Sequence, residues 1–160
     1  MIIAIFAVDS NNGISKNGTL PWPFSTEDMN WFKTQTTNNV VVMGRTTWDA
    51  PDMPSPLPRR VNVVFTTRGD IGGCEVRSGD VQATLVELQN QYSDKNIFVI
   101  GGAKLLGQAT DVLDCAYITR IQGTFNCDTF ISLENIVKGM QLTEQRPLGD
   151  AILEIYKRLQ

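Results

Sequence analysis

Residues 40–48 read Val-Val-Val-Met-Gly-Arg-Thr-Thr-Trp, which is an apolar run, a glycine and then a mainly polar segment. A continuous apolar run of this length is typical of a strand buried on both faces of a parallel sheet. The glycine and the polar residues after it indicate a tight turn into a helix. The same design recurs at residues 97–104, Ile-Phe-Val-Ile-Gly-Gly-Ala-Lys. Two such units predict an α/β fold with helices between parallel strands.

Further patterns extend this prediction along the chain. Strands are predicted at Ile2–Val8, Val40–Met43, Val61–Thr66, Ile97–Ile100, Tyr117–Ile121 and Ile152–Tyr156. Helices are predicted at Thr26–Thr36, Val81–Tyr92 and Ala103–Ala109. Little helix is predicted after Asp114, so we expect a mostly parallel central sheet with flanking helices and an antiparallel C-terminal edge. The length of 160 residues suits a single domain over residues 1–160.

Composition excludes several classes of protein. The chain has 14 Lys and Arg against 17 Asp and Glu, and no basic stripe suited to nucleic acid. It has no histidine, which rules out a Ser-His-Asp triad and makes a structural metal site unexpected. The three cysteines are not closely paired, the start lacks the basic leader of a signal peptide, and no apolar run is long enough to span a membrane. We therefore expect a cytoplasmic protein with reduced thiols and no membrane partner.

Both strand-glycine-helix units carry a nearby cation. Arg45 follows Gly44, and Lys104 follows Gly101 and Gly102 at a distance of two or three residues. Glycine lets a backbone approach a ligand closely, and the N–H groups at a helix start attract phosphate. A tight turn explains either unit alone, but the pair favours a pyrophosphate held from both sides. The full G-x-G-x-x-G fingerprint of a Rossmann domain is absent.

Three other segments are candidate binding loops. Thr66-Thr67-Arg68 ends a predicted strand and either holds a further phosphate with Arg45 or is a solvated strand end; the pattern does not distinguish these. Residues 10–22 are polar and contain glycine, and residues 49–60 are rich in proline. Loops on a rigid scaffold often carry binding groups.

The helix predicted after Ser25 carries the strongest candidate, Asp28. Ser25 can cap this helix with Asp28 at its third position, which would make Asp28 a surface capping carboxylate. Helix phase favours another role, because at about 100° per residue Asp28 lies between Trp31 and Phe32 on an apolar face. Glu27 falls on a more polar edge. A carboxylate on an apolar face usually has a ligand, a partner or a raised pKa, and in a chain without histidine it is a natural acid–base group.

The sequence resembles the dihydrofolate reductase family along nearly its whole length. The matching motifs are Ala7-Val8-Asp9, Leu20-Pro21-Trp22, Asp28-x-x-Trp31-Phe32-Lys33, Val42-Met43-Gly44-Arg45-x-Thr47-Trp48, Leu57-Pro58-x-Arg60-x-Asn62-Val63-Val64, Ile100-Gly101-Gly102-Ala103, Tyr117-x-Thr119-x-Ile121 and Asp128-Thr129. Their order and spacing make the resemblance specific. It implies a dihydrofolate-reductase-like fold and hydride transfer from NADPH to C6 of 7,8-dihydrofolate, with N5 protonated. The product, tetrahydrofolate, would serve one-carbon and thymidylate metabolism.

The resemblance also implies the residues around the folate. The substrate-binding set is Ile3, Ile5, Phe6, Asp28, Phe32, Arg60 and Thr119, of which the first three would form the pocket floor. Asp28 would hydrogen-bond the pterin, with Thr119 reaching the same carboxylate directly or through water. Arg60 would pair with the α-carboxylate of the glutamate tail. The catalytic set is Leu20, Trp22 and Asp28.

A second implied set binds NADPH, with residues 14–20 closing over the nicotinamide. Its members are Ile5, Ala7, Ile14, Ser15, Gly18, Leu20, Gly44, Arg45, Thr46, Thr47, Thr66, Thr67, Arg68, Ile100, Gly101, Gly102, Ala103, Lys104, Leu105 and Gln108. In the family the peptide equivalent to Gly101–Gly102 is cis. Antifolate-like small molecules are further implied ligands, and nothing in the sequence demands more than a monomer.

Some residues depart from the family pattern, and three rival functions compete with it. Ser15 and Ala103 stand where glycine is common, and Leu106 where tyrosine is common. The rivals are a reductase of a ribosylated pyrimidine in riboflavin synthesis, a non-catalytic nucleotide-binding or scaffold protein, and a generic flavin or nucleotide module. The helix with Asp28, Trp31 and Phe32, together with Arg60, argues against the first rival. Intact Asp28, Trp22 and Arg60 argue against the second.

Overall fold

The computed structural model describes residues 1–23, 25–69 and 71–159. The strands in these residues are β1 Ile2–Val8, β2 Gly13–Ser15, β3 Val40–Gly44, β4 Val61–Phe65, β5 Glu75–Arg77, β6 Ile97–Gly101, β7 Cys115–Arg120, β8 Thr129–Phe130, β9 Met140–Leu148 and β10 Ala151–Arg158. The helices are α1 Thr26–Thr36, α2 Arg45–Trp48, α3 Val81–Gln91, α4 Ala103–Ala109 and α5 Leu133–Ile136, with a 3-10 turn at Thr110–Val112.

Eight of the described strands form one sheet in the order β5-β4-β3-β6-β1-β7-β10-β9. All pairs from β5 to β7 are parallel, whereas β10 is antiparallel to both β7 and β9. This confirms the predicted α/β fold with an antiparallel C-terminal edge. In the register, Ala7 lies opposite Thr119 and Met43 lies opposite Gly101. The glycine ends of β3 and β6 are therefore neighbours.

Alternation along β1 divides the core between the two faces of the sheet. Ile3 and Ile5 join one buried cluster, against which the α1 aromatics Trp31 and Phe32 pack. The other cluster contains the even-numbered residues of β1 and the buried side chains of α3, α4 and α5. Phe6 packs against this second cluster, because successive side chains of a strand point to opposite faces. The family resemblance implied that Ile3, Ile5 and Phe6 together form the floor of the folate pocket. The Phe6 side chain instead lies on the opposite face of the sheet from Ile3 and Ile5.

The sequence patterns located the longer helices but did not predict the strands β2, β5, β8 and β9. The predicted bounds of α1 and α4 match the structure, and those of α3 differ by one residue. β2, β5 and β8 have only two or three residues each, too few for a pattern. β9 has nine residues, of which seven are exposed, so it lacks the apolar alternation of a half-buried strand. β2 also lies inside the candidate binding loop, residues 10–22, where it pairs with β8.

No helix in the described ranges combines the length and hydropathy needed to cross a membrane. Cys74, Cys115 and Cys127 are all unpaired, as expected for reduced thiols.

Candidate active site

The backbone and the side chain of Asp28 form different hydrogen bonds. Its N–H donates to the Ser25 side chain over 3.2 Å, which caps α1. Its Oδ1 accepts a 3.0 Å hydrogen bond from the hydroxyl of Thr119, on β7. Thr119 is only 2% exposed, so this contact lies between the helix and the sheet. The capping geometry and the inward orientation predicted from helix phase are thus both present.

The surroundings of Asp28 disfavour its charge. Burial raises the pKa of the Asp28 carboxyl above its usual range, and the hydrogen bond from Thr119 opposes this only in part. No described residue hydrogen-bonds the second oxygen, Oδ2. Glu27, by contrast, is exposed. Asp28 is therefore a half-buried carboxylate with one oxygen fixed and the other available to a ligand.

Aromatic side chains from α1, β6 and β7 pack together in the buried cluster on the α1 side of the sheet. The ring centroids of Trp31 and Tyr117 are 5.8 Å apart, and those of Tyr117 and Phe98 are 6.3 Å apart. The guanidinium of Arg146, from β9, lies 5.2 Å from the Trp31 ring centroid. The indole Nε1 of Trp31 is buried with no hydrogen-bond partner among the described residues. Sequence reasoning gave no role to Arg146, because β9 was not predicted.

Arg60 lies at the other end of the same helix. Its Nη1 donates to Thr36 Oγ1 over 3.1 Å, its Nε donates to the Pro58 carbonyl over 2.9 Å, and its guanidinium lies 6.0 Å from the Phe32 centroid. Burial lowers its pKa, with a smaller contribution from Arg59. Thr36 is eight positions after Asp28, which at a rise of 1.5 Å per residue is about 12 Å along α1. The surface along α1 between Asp28 and Arg60, called the cleft, thus has a carboxylate at one end and a guanidinium at the other. This arrangement suits an elongated ligand with a hydrogen-bond donor at one end and an anion at the other.

The ends of β3 and β6 leave a slot between their glycines. A Cβ added to Gly44 would lie 3.9 Å from the Gly102 nitrogen, and one added to Gly101 or Gly102 would lie 3.7 or 3.8 Å from Thr47 Oγ1. The Gly101–Gly102 peptide is cis, as the family resemblance implied. Gly44 and Gly102 are also the N-caps of α2 and α4, and neither supplies a capping side chain. The slot thus presents backbone at a position that side chains would otherwise fill.

The predicted cofactor residues differ in their exposure to solvent. The buried members are Ile5, Ile14, Gly101 and Leu105. The half-buried members are Ala7, Ser15, Gly18, Gly44, Arg45, Thr47, Thr66, Ile100, Gly102 and Ala103. The exposed members are Leu20, Thr46, Thr67, Arg68, Lys104 and Gln108. Because β4, β3 and β6 are adjacent and parallel, residues that follow their carboxyl ends meet at one edge of the sheet.

Three cationic residues at this edge have different surroundings. Arg45 Nε pairs with Asp49 Oδ2 at 2.9 Å, one helical turn away. The N–H of Arg68 donates to Thr66 Oγ1 over 3.1 Å, which shapes the turn after β4. Lys104 is exposed at the start of α4. The turn gives residues 66–68 a defined backbone, and their role in binding a phosphate stays a prediction.

The loop of residues 10–22 is held by a buried carboxylate, Asp9. Its Oδ1 accepts N–H groups from Asn11 and Gly13 at 2.8 and 2.9 Å, and its Oδ2 accepts the Phe125 N–H at 3.2 Å. Burial alone would raise the pKa of Asp9, but these backbone donors outweigh burial and hold the pKa below its usual value. The Cys127 thiol also donates to Asp9, over 3.4 Å. Asp9 therefore joins this loop to the segment before β8.

The end of the same loop holds the other two predicted catalytic residues in different settings. Trp22 is 8% exposed and packs edge-on against Phe125, with centroids 6.0 Å apart. Leu20 is 48% exposed, and its N–H donates to Asp52 of the proline-rich loop over 3.3 Å. The loop of residues 10–22 thus makes a contact with the proline-rich loop, residues 49–60.

Comparisons with known proteins identify the family of the chain. A family model described as dihydrofolate reductase matches residues 1–146. Dihydrofolate reductase of Drosophila melanogaster is 33% identical over 158 residues, which cover 91% of this chain and 87% of the relative. The enzyme of Heliothis virescens is 36% identical over 141 residues, covering 79% and 76%. The bifunctional dihydrofolate reductase-thymidylate synthase of Daucus carota is 39% identical over 146 residues, but the chain spans only 28% of its length.

A solved structure gives the same result for the fold. Dihydrofolate reductase from Enterococcus faecalis, complexed with NADP(H) and RAB-propyl, superimposes with a TM-score of 0.82 at 29% identity. The match covers 99% of this chain and 96% of that one. With the family model, this similarity shows that the chain belongs to the dihydrofolate reductase family, whose members reduce dihydrofolate with NADPH.

Proposed function

We propose that the chain reduces 7,8-dihydrofolate to tetrahydrofolate for one-carbon and thymidylate metabolism, by hydride transfer from NADPH to C6 and protonation of N5. The observation that carries this proposal is the Asp28 carboxylate, which is fixed by Thr119 and has its second oxygen available. An amino group beside a protonated ring nitrogen offers two parallel donors to such a carboxylate. The pterin ring has this arrangement at its exocyclic amino group and N3.

In this function Asp28 orients the pterin and is not the atom that delivers the proton. Its charge beside the ring favours the protonated pterin, while water is the immediate donor to N5. Ile3, Ile5 and Phe32 shape the apolar part of the pocket, and exclusion of bulk water strengthens the interaction with Asp28. The raised pKa of Asp28 fits this role, because a ligand with a positive charge restores the ionised form that burial disfavours.

The slot between β3 and β6 fits a dinucleotide phosphate. Backbone N–H groups at Gly44 and Gly102 have no capping side chain, and a phosphate oxygen is a suitable acceptor for such groups. Residues 45–47 and 103–105, with Gln108, extend this cradle, and residues 66–68 with Arg45 bind the extra phosphate that distinguishes NADPH from NADH. Ala7, Ile14, Ser15, Gly18 and Ile100 contact the nicotinamide half. When bound, NADPH supplies the hydride.

The remaining residues position the tail and close the cleft. Arg60 binds the α-carboxylate of the glutamate tail, for which its planar fork is suited. The separation of about 12 Å between the two ends of the α1 surface suits the length of a folate better than that of a free pterin. Leu20 and Trp22 belong to the loop that covers the nicotinamide and limits solvent access.

The cellular setting is part of the proposal. We infer a cytoplasmic monomer, with residues 1–160 as one domain, that binds folates and antifolate-like molecules but neither nucleic acid nor membrane. The three unpaired cysteines and the net charge of −3 support this setting.

Loss of reduced-nicotinamide absorbance on mixing the protein with NADPH and dihydrofolate tests the function. No loss at high enzyme concentration would refute it. Asp28→Asn should lower turnover at neutral pH by orders of magnitude and leave NADPH binding nearly intact. Glu27→Gln is the matched control, because Glu27 is an exposed neighbouring carboxylate. If the Glu27 variant lost turnover and the Asp28 variant did not, Asp28 would be the wrong residue.

A further inference from the structure

The hairpin of β9 and β10 contacts α1 at two points. The guanidinium of Arg146, on β9, lies 5.2 Å from the centroid of the Trp31 ring. A Cβ added to Gly149, between the two strands, would lie 2.9 Å from Glu27 Oε2, so the Glu27 side chain packs over this glycine. Glu27 and Trp31 lie on either side of Asp28 along α1. The hairpin therefore contacts the helix both before and after the carboxylate that the proposed function uses.

The strand register places Arg146 and Thr119 on the same face of the sheet. Thr119 lies opposite Leu153 of β10, and Leu153 lies opposite Arg146 of β9. Directly opposite residues on neighbouring strands point their side chains to the same face. Because neighbouring strands are about 4.8 Å apart, Thr119 and Arg146 stand about 10 Å apart in one row that faces α1. The irregularity in the pairing of β9 with β10 falls at Ile155/Tyr156, outside this row.

The two ends of this row contact different positions on the helix. Thr119 donates its hydroxyl to Asp28 over 3.0 Å, whereas Arg146 stacks on Trp31, three residues further along α1. At 1.5 Å and 100° per residue, the two positions are about 4.5 Å apart along the helix axis and about 60° apart around it. Two contacts at different angles restrict rolling of α1 about its axis. They thereby fix the direction in which the Asp28 side chain projects.

A neighbour on the same strand orients Arg146. Its Nε pairs with Glu144 Oε2 at 2.8 Å. Glu144 is two residues earlier, so both side chains lie on one face of β9. A guanidinium stacks on an aromatic ring through its plane and donates through its edge, so the two contacts of Arg146 are compatible. The side chains of Arg146 and Glu144 are 46% and 47% exposed, so the stacking has the modest strength of a surface contact.

We propose that Arg146 is a positioning residue for dihydrofolate binding, which holds α1 through Trp31 in the rotation that places Asp28 beside Thr119. The proposal rests on the proposed function, in which the second oxygen of Asp28 binds the pterin. In this role Arg146 acts through the helix and not by contact with substrate or cofactor. Loss of the stacking therefore weakens binding of the pterin and leaves binding of NADPH unchanged.

The expected effect is small and measurable. A cation over a partly exposed aromatic ring is a weak interaction, so we expect Arg146→Leu to weaken folate affinity about two- to fivefold. The KM for dihydrofolate should rise by a similar factor. Arg146→Lys keeps a cation over the ring and should recover most of the loss. In an Asp28→Asn background Arg146→Leu should have little further effect, because the carboxylate that Arg146 positions is then absent.

The test compares the wild-type chain, Arg146→Leu, Arg146→Lys, Asp28→Asn and the double variant Asp28→Asn with Arg146→Leu. Folate affinity is measured by calorimetry, the KM for dihydrofolate by absorbance, and NADPH affinity by fluorescence titration. Gln141→Leu is the control, because Gln141 is also exposed on β9 and lies five residues from Arg146, about 17 Å along the strand. Both leucine substitutions change exposed positions on the edge strand of the sheet, so both preserve the fold.

The expected result is a loss of folate affinity in Arg146→Leu that lysine recovers and that neither the control nor the Asp28→Asn background shows. Unchanged affinity in Arg146→Leu would overturn the proposal, as would a loss that lysine does not recover. An equal loss in the Asp28→Asn background, or an equal loss of NADPH affinity, would show a general structural role and overturn it too. If the wild-type chain binds folate without reducing dihydrofolate, the proposed function fails and the folate affinities still decide the role of Arg146. If it binds no folate, both proposals fail.

Discussion

Replacing Thr119 with valine removes one hydroxyl from a strand residue that is 2% exposed, and keeps its branched shape. The hydroxyl donates to Asp28 over 3.0 Å. A hydrogen bond to a charged group contributes about 1.5–3 kcal/mol, and partial solvent access at Asp28 favours the lower half of that range, about 2 kcal/mol. In the Asp28→Asn background the acceptor is neutral, and Thr119→Val should lower the free energy of unfolding by only about 1 kcal/mol. The interaction energy from the double-mutant cycle is then about 1 kcal/mol.

The same cycle has a defined pH dependence. Because burial raises the folded-state pKa of Asp28 above its ordinary value near 3.8, ionisation of Asp28 destabilises the fold. The contribution of Asp28 to the free energy of unfolding is fully present below its unfolded-state pKa. It is lost as pH rises through its folded-state pKa. Asp28→Asn should therefore be more stable than the wild-type chain at pH 7, with the difference vanishing in acid. The bond from Thr119 favours the ionised form, so its extra contribution should fade as the pH falls.

Urea unfolding of the four proteins at pH 7 and at acid pH, followed by tryptophan fluorescence, measures these terms. The packing effect of valine is common to both backgrounds and cancels in the cycle. An equal cost of Thr119→Val in both backgrounds at pH 7 would refute the reasoning. So would a cost in the wild-type background that is unchanged on acidification.

Three further substitutions separate the other parts of the site. Arg60→Leu should raise the KM for dihydrofolate by about tenfold or more but spare a tail-less dihydropterin, and an equal rise for both would contradict its assignment to the tail. Gly44→Val should weaken NADPH binding by about tenfold or more in a fluorescence titration, because a side chain would enter the slot. Its φ of −80° suits any residue, so the urea midpoint should barely move; unchanged NADPH affinity would show that the slot is not the cofactor site. Gly13→Ala should lower the unfolding free energy by about 1–3 kcal/mol, since its Cβ would overlap Cys127 Cβ and lie 2.6 Å from Sγ. Cys127→Gly should restore most of that loss, and failure to do so would place the strain elsewhere.

Local patterns predicted the parts of the molecule that depend on local geometry. The bounds of α1 and the inward direction of Asp28 follow from a 3.6-residue period, and both agree with the structure. The same reasoning applied to β1 would have separated Phe6 from Ile3 and Ile5, because a strand has a period of two. The grouping of these three came from the family resemblance, and the Phe6 side chain departs from it.

Contacts between distant segments could not be predicted in this way. Asp9 and Cys127 are 118 positions apart, and their contact depends on the placement of β2 against β8. The stacking of Arg146 on Trp31 requires β9, whose exposed residues carry no strand pattern. β9 pairs with β10 along Met140–Leu148, with one bulge at Ile155/Tyr156, so its strand form depends on the sheet and not on the β9 sequence alone.

The strand order has a consequence for synthesis on the ribosome. β1 lies in the interior of the sheet, and its neighbours are β6 and β7, which begin at Ile97 and Cys115. At 5–20 residues per second, roughly 4 to 20 s pass between translation of β1 and translation of its first partner. During that interval an apolar segment with free backbone donors and acceptors is present in the nascent chain. We expect β1 to be a preferred binding segment for chaperones on stalled nascent chains that end before β6, and to be released once β6 and β7 have emerged.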